Sequence, residues 1–296
     1  MRLDDYRTSD NVGDQRGQSF GGGGGGGGLG LILGLVGSRF GLGGIIVVLI
    51  GAFLLGINPF GGGGQQALTP GSQTATGGSA AEKACAVDAA SRFSCQVLAS
   101  TEDSWAAIFA ERGARYQPAG FIFYGGRGQS GCGAAQAAMG PFYCPSDNRI
   151  YLDTSFYQEL QQRYGAAGDF AEAYVIAHEV GHHVQALTGV LDQARQAQAR
   201  ASEAEGNAVQ VRVELQADCY AGVWAARNRD RLEPGDVEEG LRAAAAIGDD
   251  TLQRAAQGRV VPESFTHGSA AQRQAWLRRG LESGDPAACD TFSGAV

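Results

Sequence analysis

The chain opens polar and turns apolar abruptly. Residues 1–20 mix Arg2, Arg7 and Arg16 with Asp4, Asp5, Asp10 and Asp14, and Gly21 to Gly28 is an unbroken glycine run. Such a run has no side chains to bury and reads as flexible coil. Apolar residues take over at Leu29, break at Ser38 and Arg39, then continue without a charge from Phe40 to Ile57, where Asn58 and Pro59 close the stretch. As a helix rising about 1.5 Å per residue it would span roughly 27 Å, close to a bilayer's hydrocarbon thickness. It is apolar on every face and no A-x-A cleavage site follows closely, which argues against a core helix and against a cleaved signal peptide. The expectation is one transmembrane helix over residues 40–57. Four arginines precede Ile57 and no Lys or Arg follows before Lys83. That bias puts a flexible, Gly-rich N-terminus (1–39) in the cytoplasm and the rest outside, in a single-pass protein of the cell (inner) membrane.

A Gly/Ser/Thr/Gln linker (58–82) leads to a globular domain over 83–296. Ala86 to Ser100 and Trp105 to Arg112 have helical patterns. Gly120 to Tyr124 and Arg149 to Asp153 are short, aromatic or β-branched, and bounded by turn residues, as strands are. After Asp153 helical spacing dominates, over about 155–164, 170–187, 192–204, 208–228, 235–247 and 269–282. Mixed structure first and helices later is an α+β plan.

Composition sharpens this reading. A net charge of -8 and no long basic run argue against nucleic acid as a partner. Six cysteines, none in a CxxC pair, suit structural disulfides better than a zinc ribbon. Nearness suggests Cys85–Cys95 and Cys132–Cys144, which leaves Cys219–Cys289, one of the fifteen pairings that six cysteines allow.

The chemistry sits in His178-Glu179-Val180-Gly181-His182-His183, an HExxH motif within a strong helical pattern. Asp169 and Glu172 have the spacing of a capping box before it, and Gly189 follows it. Two histidines four apart share a helix face and can meet one ion. Glu179, about 100° round the helix, reaches a water on that ion and can act as general base. Three of the chain's four histidines fall within six residues, which makes a chance match improbable. His183 is turned too far round to share the ion and reads as an outer or surface residue. A catalytic zinc takes three protein ligands and an open position. Glu214, followed by Asp218 one turn on, can complete a His2Glu set, with Asp218 accepting the outer N–H of a ligand histidine. Ligand type suggests Zn2+, one catalytic ion, though other divalent ions suit the same set.

HExxH followed by E-x-x-A-D resembles the gluzincin branch of the zincins, and the wider sequence resembles a bacterial family of neutral zinc metallopeptidases. Matching stretches include NVGDQRG (Asn11 to Gly17), GPFYCPSDNRIYLD (Gly140 to Asp153), GDFAEAYVIAHEVGHHVQ (Gly168 to Gln185), ELQADCYAGVWA (Glu214 to Ala225) and FTHGSAAQR (Phe265 to Arg273). The resemblance implies a small β-sheet above an active-site helix and hydrolysis of a peptide or protein substrate. It also implies an edge strand, for which Gly140 to Tyr143 is the candidate, and an oxyanion-steadying residue, for which His267 is the candidate. An inactive zincin serving as a membrane-tethered binding module is the alternative, and the loss of Glu179 that would mark it has not occurred.

Overall fold

A computed structural model describes residues 1–18, 79–163, 165–294 and 296. Alternating side chains divide the main sheet into two faces. Its strands, in spatial order, are β1 (Val12–Asp14), β2 (Gly120–Tyr124), β6 (Arg149–Asp153) and β5 (Phe142–Cys144). The first three run parallel, and β5 returns antiparallel along β6 with Tyr143 opposite Ile150, which leaves β5 at an edge. Phe121, Phe123, Ile150 and Leu152 enter the main core, whereas Tyr124, Tyr151 and Cys144 form a smaller cluster on the other face. That is the period of two dictated by the pleat. A hairpin of β3 (Arg127–Ser130) and β4 (Gly133–Gln136) is tied to the edge strand by the Cys132–Cys144 disulfide.

The helices are α1 (Ala80–Cys85), α2 (Ala89–Glu111), α3 (Ser155–Gln162), α4 (Asp169–Leu187), α5 (Val190–Gln198), α6 (Glu203–Arg227), α7 (Asp236–Ala246), α8 (Asp249–Gln257) and α9 (Ala270–Ser283). Helix α4 packs on β5 and β6 and against α6, and α6 packs in turn against α9. Where two helices were expected between residues 86 and 112, α2 is continuous. The Ser100 and Thr101 hydroxyls bond back to the Val97 and Leu98 carbonyls, so this polar stretch stays helical. Ser202 caps α6 through a capping box with Glu205, which starts that helix earlier than its apolar pattern suggests. The capping box expected at α4 does not form: Gly168 is the N-cap and Asp169 is already helical. All three disulfides are as expected: Cys85–Cys95 and Cys132–Cys144 between near neighbours, and Cys219–Cys289 as the remaining pair.

The expected membrane arrangement is corrected. Residues before the glycine run are part of the folded domain: β1 pairs with β2 from Val12↔Phe121 to Asp14↔Phe123. Arg7, Ser9 and Asn11 converge on the buried Glu102 carboxylate, and Arg16 pairs with Asp14 while lying over the Phe123 ring. A strand of the same sheet lies on the same side of any membrane as its neighbours. A single-pass chain with a flexible cytoplasmic N-terminus and its domain outside therefore does not stand. Among the described residues no helix is long and apolar enough to cross a membrane. Residues 40–57, on which the expected span and its membrane partner rested, lie outside the described residues.

Candidate metal centre

Helix α4 carries His178 and His182 one turn apart, and α6 brings Glu214 to them. The Glu214 Oε2 lies 3.2 Å from His178 Nε2 and 3.7 Å from His182 Nε2. These ligand atoms all fall within 4.8 Å of one another. The rings stand edge to face, 4.7 Å between centroids. Two imidazole nitrogens and one carboxylate oxygen, with no fourth His, Cys, Asp or Glu in the group among the described residues, match a catalytic zinc set rather than a closed structural one.

The approach of the two helices depends on Gly181, between the histidines. A Cβ there would lie 3.0 Å from both the Ala217 Cα and its carbonyl oxygen. On the far side of α6, a Cβ on Gly280 of α9 would run into the Cys219 carbonyl. Small residues thus let three helices close around the site.

Each ligand has a partner behind it. Asp218 Oδ1 accepts from His178 Nδ1 at 2.8 Å and from the Tyr174 hydroxyl at 2.5 Å. Arg273, reaching in from α9, donates to Asp218 through Nε and Nη2, both at 2.9 Å. The Asp218 and Arg273 side chains are almost fully buried, and each compensates the other's charge. Burial works against ionising Asp218, but Arg273 and His178 hold its carboxyl below the usual range. Burial likewise opposes protonating His178, but Asp218 and Glu214 raise its pKa to about 9. A cation at Nε2 would take the place of that proton. His182 Nδ1 faces Gln185 Oε1 at 2.9 Å, and Gln210 Nε2 donates to Glu214 Oε1 at 2.9 Å, leaving Oε2 for the site.

Glu179 is buried and is not in the metal-holding group. Burial pushes its carboxyl above the ordinary range, partly offset by His182, His178 and the nearby Tyr143 backbone N–H. A carboxylate that holds a proton more readily than usual suits a general base. His267 is also buried. Its Nδ1 lies 3.2 Å from Asp249 Oδ1, while Oδ2 accepts from the backbone N–H groups of Thr266, His267 and Gly268. Burial disfavours its charged form, but Asp249 and then Glu214 raise its pKa. It stands near Glu214 without joining the metal-holding group. His183 is buried rather than at the surface, its Nε2 donating to the Gln117 carbonyl at 2.7 Å and its Nδ1 facing the Tyr143 hydroxyl at 3.1 Å.

Residues 1–292 match the family described as "putative neutral zinc metallopeptidase". The chain belongs to this family. That description implies zinc as the family's metal and peptides or proteins as its substrate class. It is 47% identical over 298 residues to the uncharacterized protein YpfJ of Escherichia coli, all of both chains being covered. It is 44% identical over 257 residues to the uncharacterized protein Rv2575 of Mycobacterium tuberculosis, covering 82% of this chain and 86% of the relative. No solved structure matches it significantly.

Several residues around this candidate site went unassigned in the sequence. Tyr174, Gln185 and Gln210 lie one turn from His178, His182 and Glu214, so helical spacing alone could have flagged them. Arg273 and Asp249 have no such local signal, because they arrive from other helices.

Proposed function

We propose that the protein is a zinc-dependent peptidase in which His178, His182 and Glu214 hold the ion and Glu179 is the general base. The observation that carries this is the convergence of three ligand atoms from two helices, each histidine having its outer nitrogen engaged from behind. Bound there, zinc would supply a water acidified to a pKa of about 7 and would polarise the substrate carbonyl. Glu179 is placed to accept a proton from an attacking water and would return it to the leaving amine. His267, oriented by Asp249, steadies the oxygen on which negative charge builds. The open edge of β5 offers backbone groups to an extended peptide, which would add a strand beside the site. The Tyr143 backbone N–H, which helps to lower the Glu179 pKa, brings that strand beside the base.

The test is metal content and peptide cleavage on the same preparations. Wild type should hold about one zinc per chain, lose it in His178→Ala and His182→Ala, and largely keep it in His183→Ala. Glu179→Gln should keep zinc and lose hydrolysis. Wild-type cleavage by Glu179→Gln would show that this motif does not activate the water.

A further inference from the structure

The outer nitrogens of the two histidines are held by different chemistry. His178 faces a carboxylate, which can only accept. His182 faces the amide of Gln185, and an amide can be turned round, so by itself it selects no tautomer. The choice is made further back. Gln185 Nε2 donates to the Val213 carbonyl at 2.8 Å and to Gln216 Oε1 at 3.0 Å. Gln216 Nε2 donates to the Cys289 carbonyl at 3.0 Å. Both anchors are backbone carbonyls, which cannot donate. Turning Gln216 would set its oxygen against Cys289 O, and turning Gln185 would set its oxygen against Val213 O. Each amide therefore has one allowed orientation. Gln185 Oε1 must face His182, Nδ1 must carry the proton, and Nε2 keeps its lone pair for an ion. Gln185 and Gln216 are 0% and 6% exposed, so bulk water cannot substitute for either partner.

The far end of this relay is held covalently. Cys289 is bonded to Cys219, the residue after Asp218, on the same helix as Gln216. We propose that Gln185 and Gln216 are positioning residues that impose the metal-binding tautomer on His182, anchored through the Cys289 carbonyl by the Cys219–Cys289 disulfide. This rests on reading His178, His182 and Glu214 as a metal site.

Zinc affinity is measured on the full chain by competition with a chelating indicator, with thermal unfolding recorded for every variant. Gln185→Met and Gln216→Met should each weaken zinc by roughly 10–100-fold, the usual loss when an outer partner of a ligand is removed. Gln185→Glu should stay within a few-fold of wild type, because a carboxylate still accepts from His182. A purely structural role for Gln185 predicts the reverse order, since a buried carboxylate against Val213 O folds worse than methionine does. The Cys219→Ala/Cys289→Ala variant should also bind zinc more weakly. Gln216→Met leaves the disulfide intact and keeps the test decisive if the double variant does not fold. Failure of wild type to bind zinc would overturn the metal site itself. With wild type binding, unchanged affinity in Gln216→Met, or Gln185→Met binding as well as Gln185→Glu, would overturn the relay alone. A folded double cysteine variant with wild-type affinity would remove the disulfide from it.

Discussion

Gly181 and Ala217 touch backbone to backbone, and on that contact rests the meeting of the two histidines with Glu214. A side chain there needs the neighbouring helix to give by a few tenths of an ångström: an added Cβ would lie 3.0 Å from the Ala217 Cα and 3.2 Å from its Cβ. Alanine at position 181 would gain about 1 kcal/mol of helix propensity. Against this, overpacking a rigid contact costs about 1–3 kcal/mol, and backbone cannot swing aside as a side chain can. Gly181→Ala should therefore lower stability, and Gly181→Val should do so more strongly, with zinc affinity falling in the same order. Thermal unfolding and zinc titration of the two variants check this; a stabilised Gly181→Ala with full affinity contradicts it.

Glu214 and Asp218 share one face of α6 but should respond differently to substitution. Glu214→Ala should remove a proposed metal ligand and with it most of the affinity. Asp218→Asn should keep a weaker site, down by roughly 10–100-fold. Arg273→Met leaves the Asp218 charge buried without its partner and should destabilise the fold by about 3–5 kcal/mol. Chemical denaturation and zinc titration separate these cases. Full zinc in Glu214→Ala with loss in Asp218→Asn would mean that the two acids have exchanged roles.

Asp249 uses Oδ2 to collect three backbone N–H groups, from Thr266, His267 and Gly268. In Asp249→Asn those donors hold the amide oxygen in place and turn its NH2 toward His267 Nδ1, which can then only accept. The ring is left in the other tautomer. Asp249→Asn should match His267→Ala in slowing peptide cleavage while retaining zinc. Paired kinetic and metal assays decide, and a variant as fast as wild type excludes the orienting role.

Burial, with Asp169 adding like charge, raises the Glu172 pKa from 4.5 to about 7. The folded state thus binds this proton more tightly than the unfolded state does. Stability is greatest below about pH 4.5 and falls as pH rises through about 7, where the buried carboxyl must ionise. A shift of this size corresponds to at most about 3 kcal/mol, and partial exposure reduces it to roughly 1–2 kcal/mol. Glu172→Gln should unfold at a higher temperature than wild type at pH 8 and with little difference at pH 4. A gap independent of pH would disprove the assignment.

That His178 and His182 share a face was legible because helical spacing converts sequence distance directly into position round the helix. Glu214 and Asp218, one turn apart on α6, were legible for the same reason, and the structure brings Glu214 to the two histidines and Asp218 behind His178. The rest of the site was not, because it depends on contacts without local periodicity. Arg273 lies fifty-five residues beyond Asp218. Asp249 opens a short helix that no apolar pattern announced. The first strand was missed because Val12–Asp14 is three residues beside a glycine run, and pairing with β2 rather than propensity makes it a strand.

The sequence alone determined the α+β plan, the helix that carries HExxH, the grouping of His178 and His182 with Glu214, and the disulfides, two through nearness and Cys219–Cys289 as the remaining pair. Each of these is set by the spacing of residue types along the chain. Only the tertiary structure decided that the first residues join the sheet, that Arg273 neutralises Asp218, and that amides anchored on Val213 and Cys289 orient His182. Those facts follow from which backbone carbonyls and charges the packing of α4, α6 and α9 brings within hydrogen-bond reach, and no spacing rule encodes that.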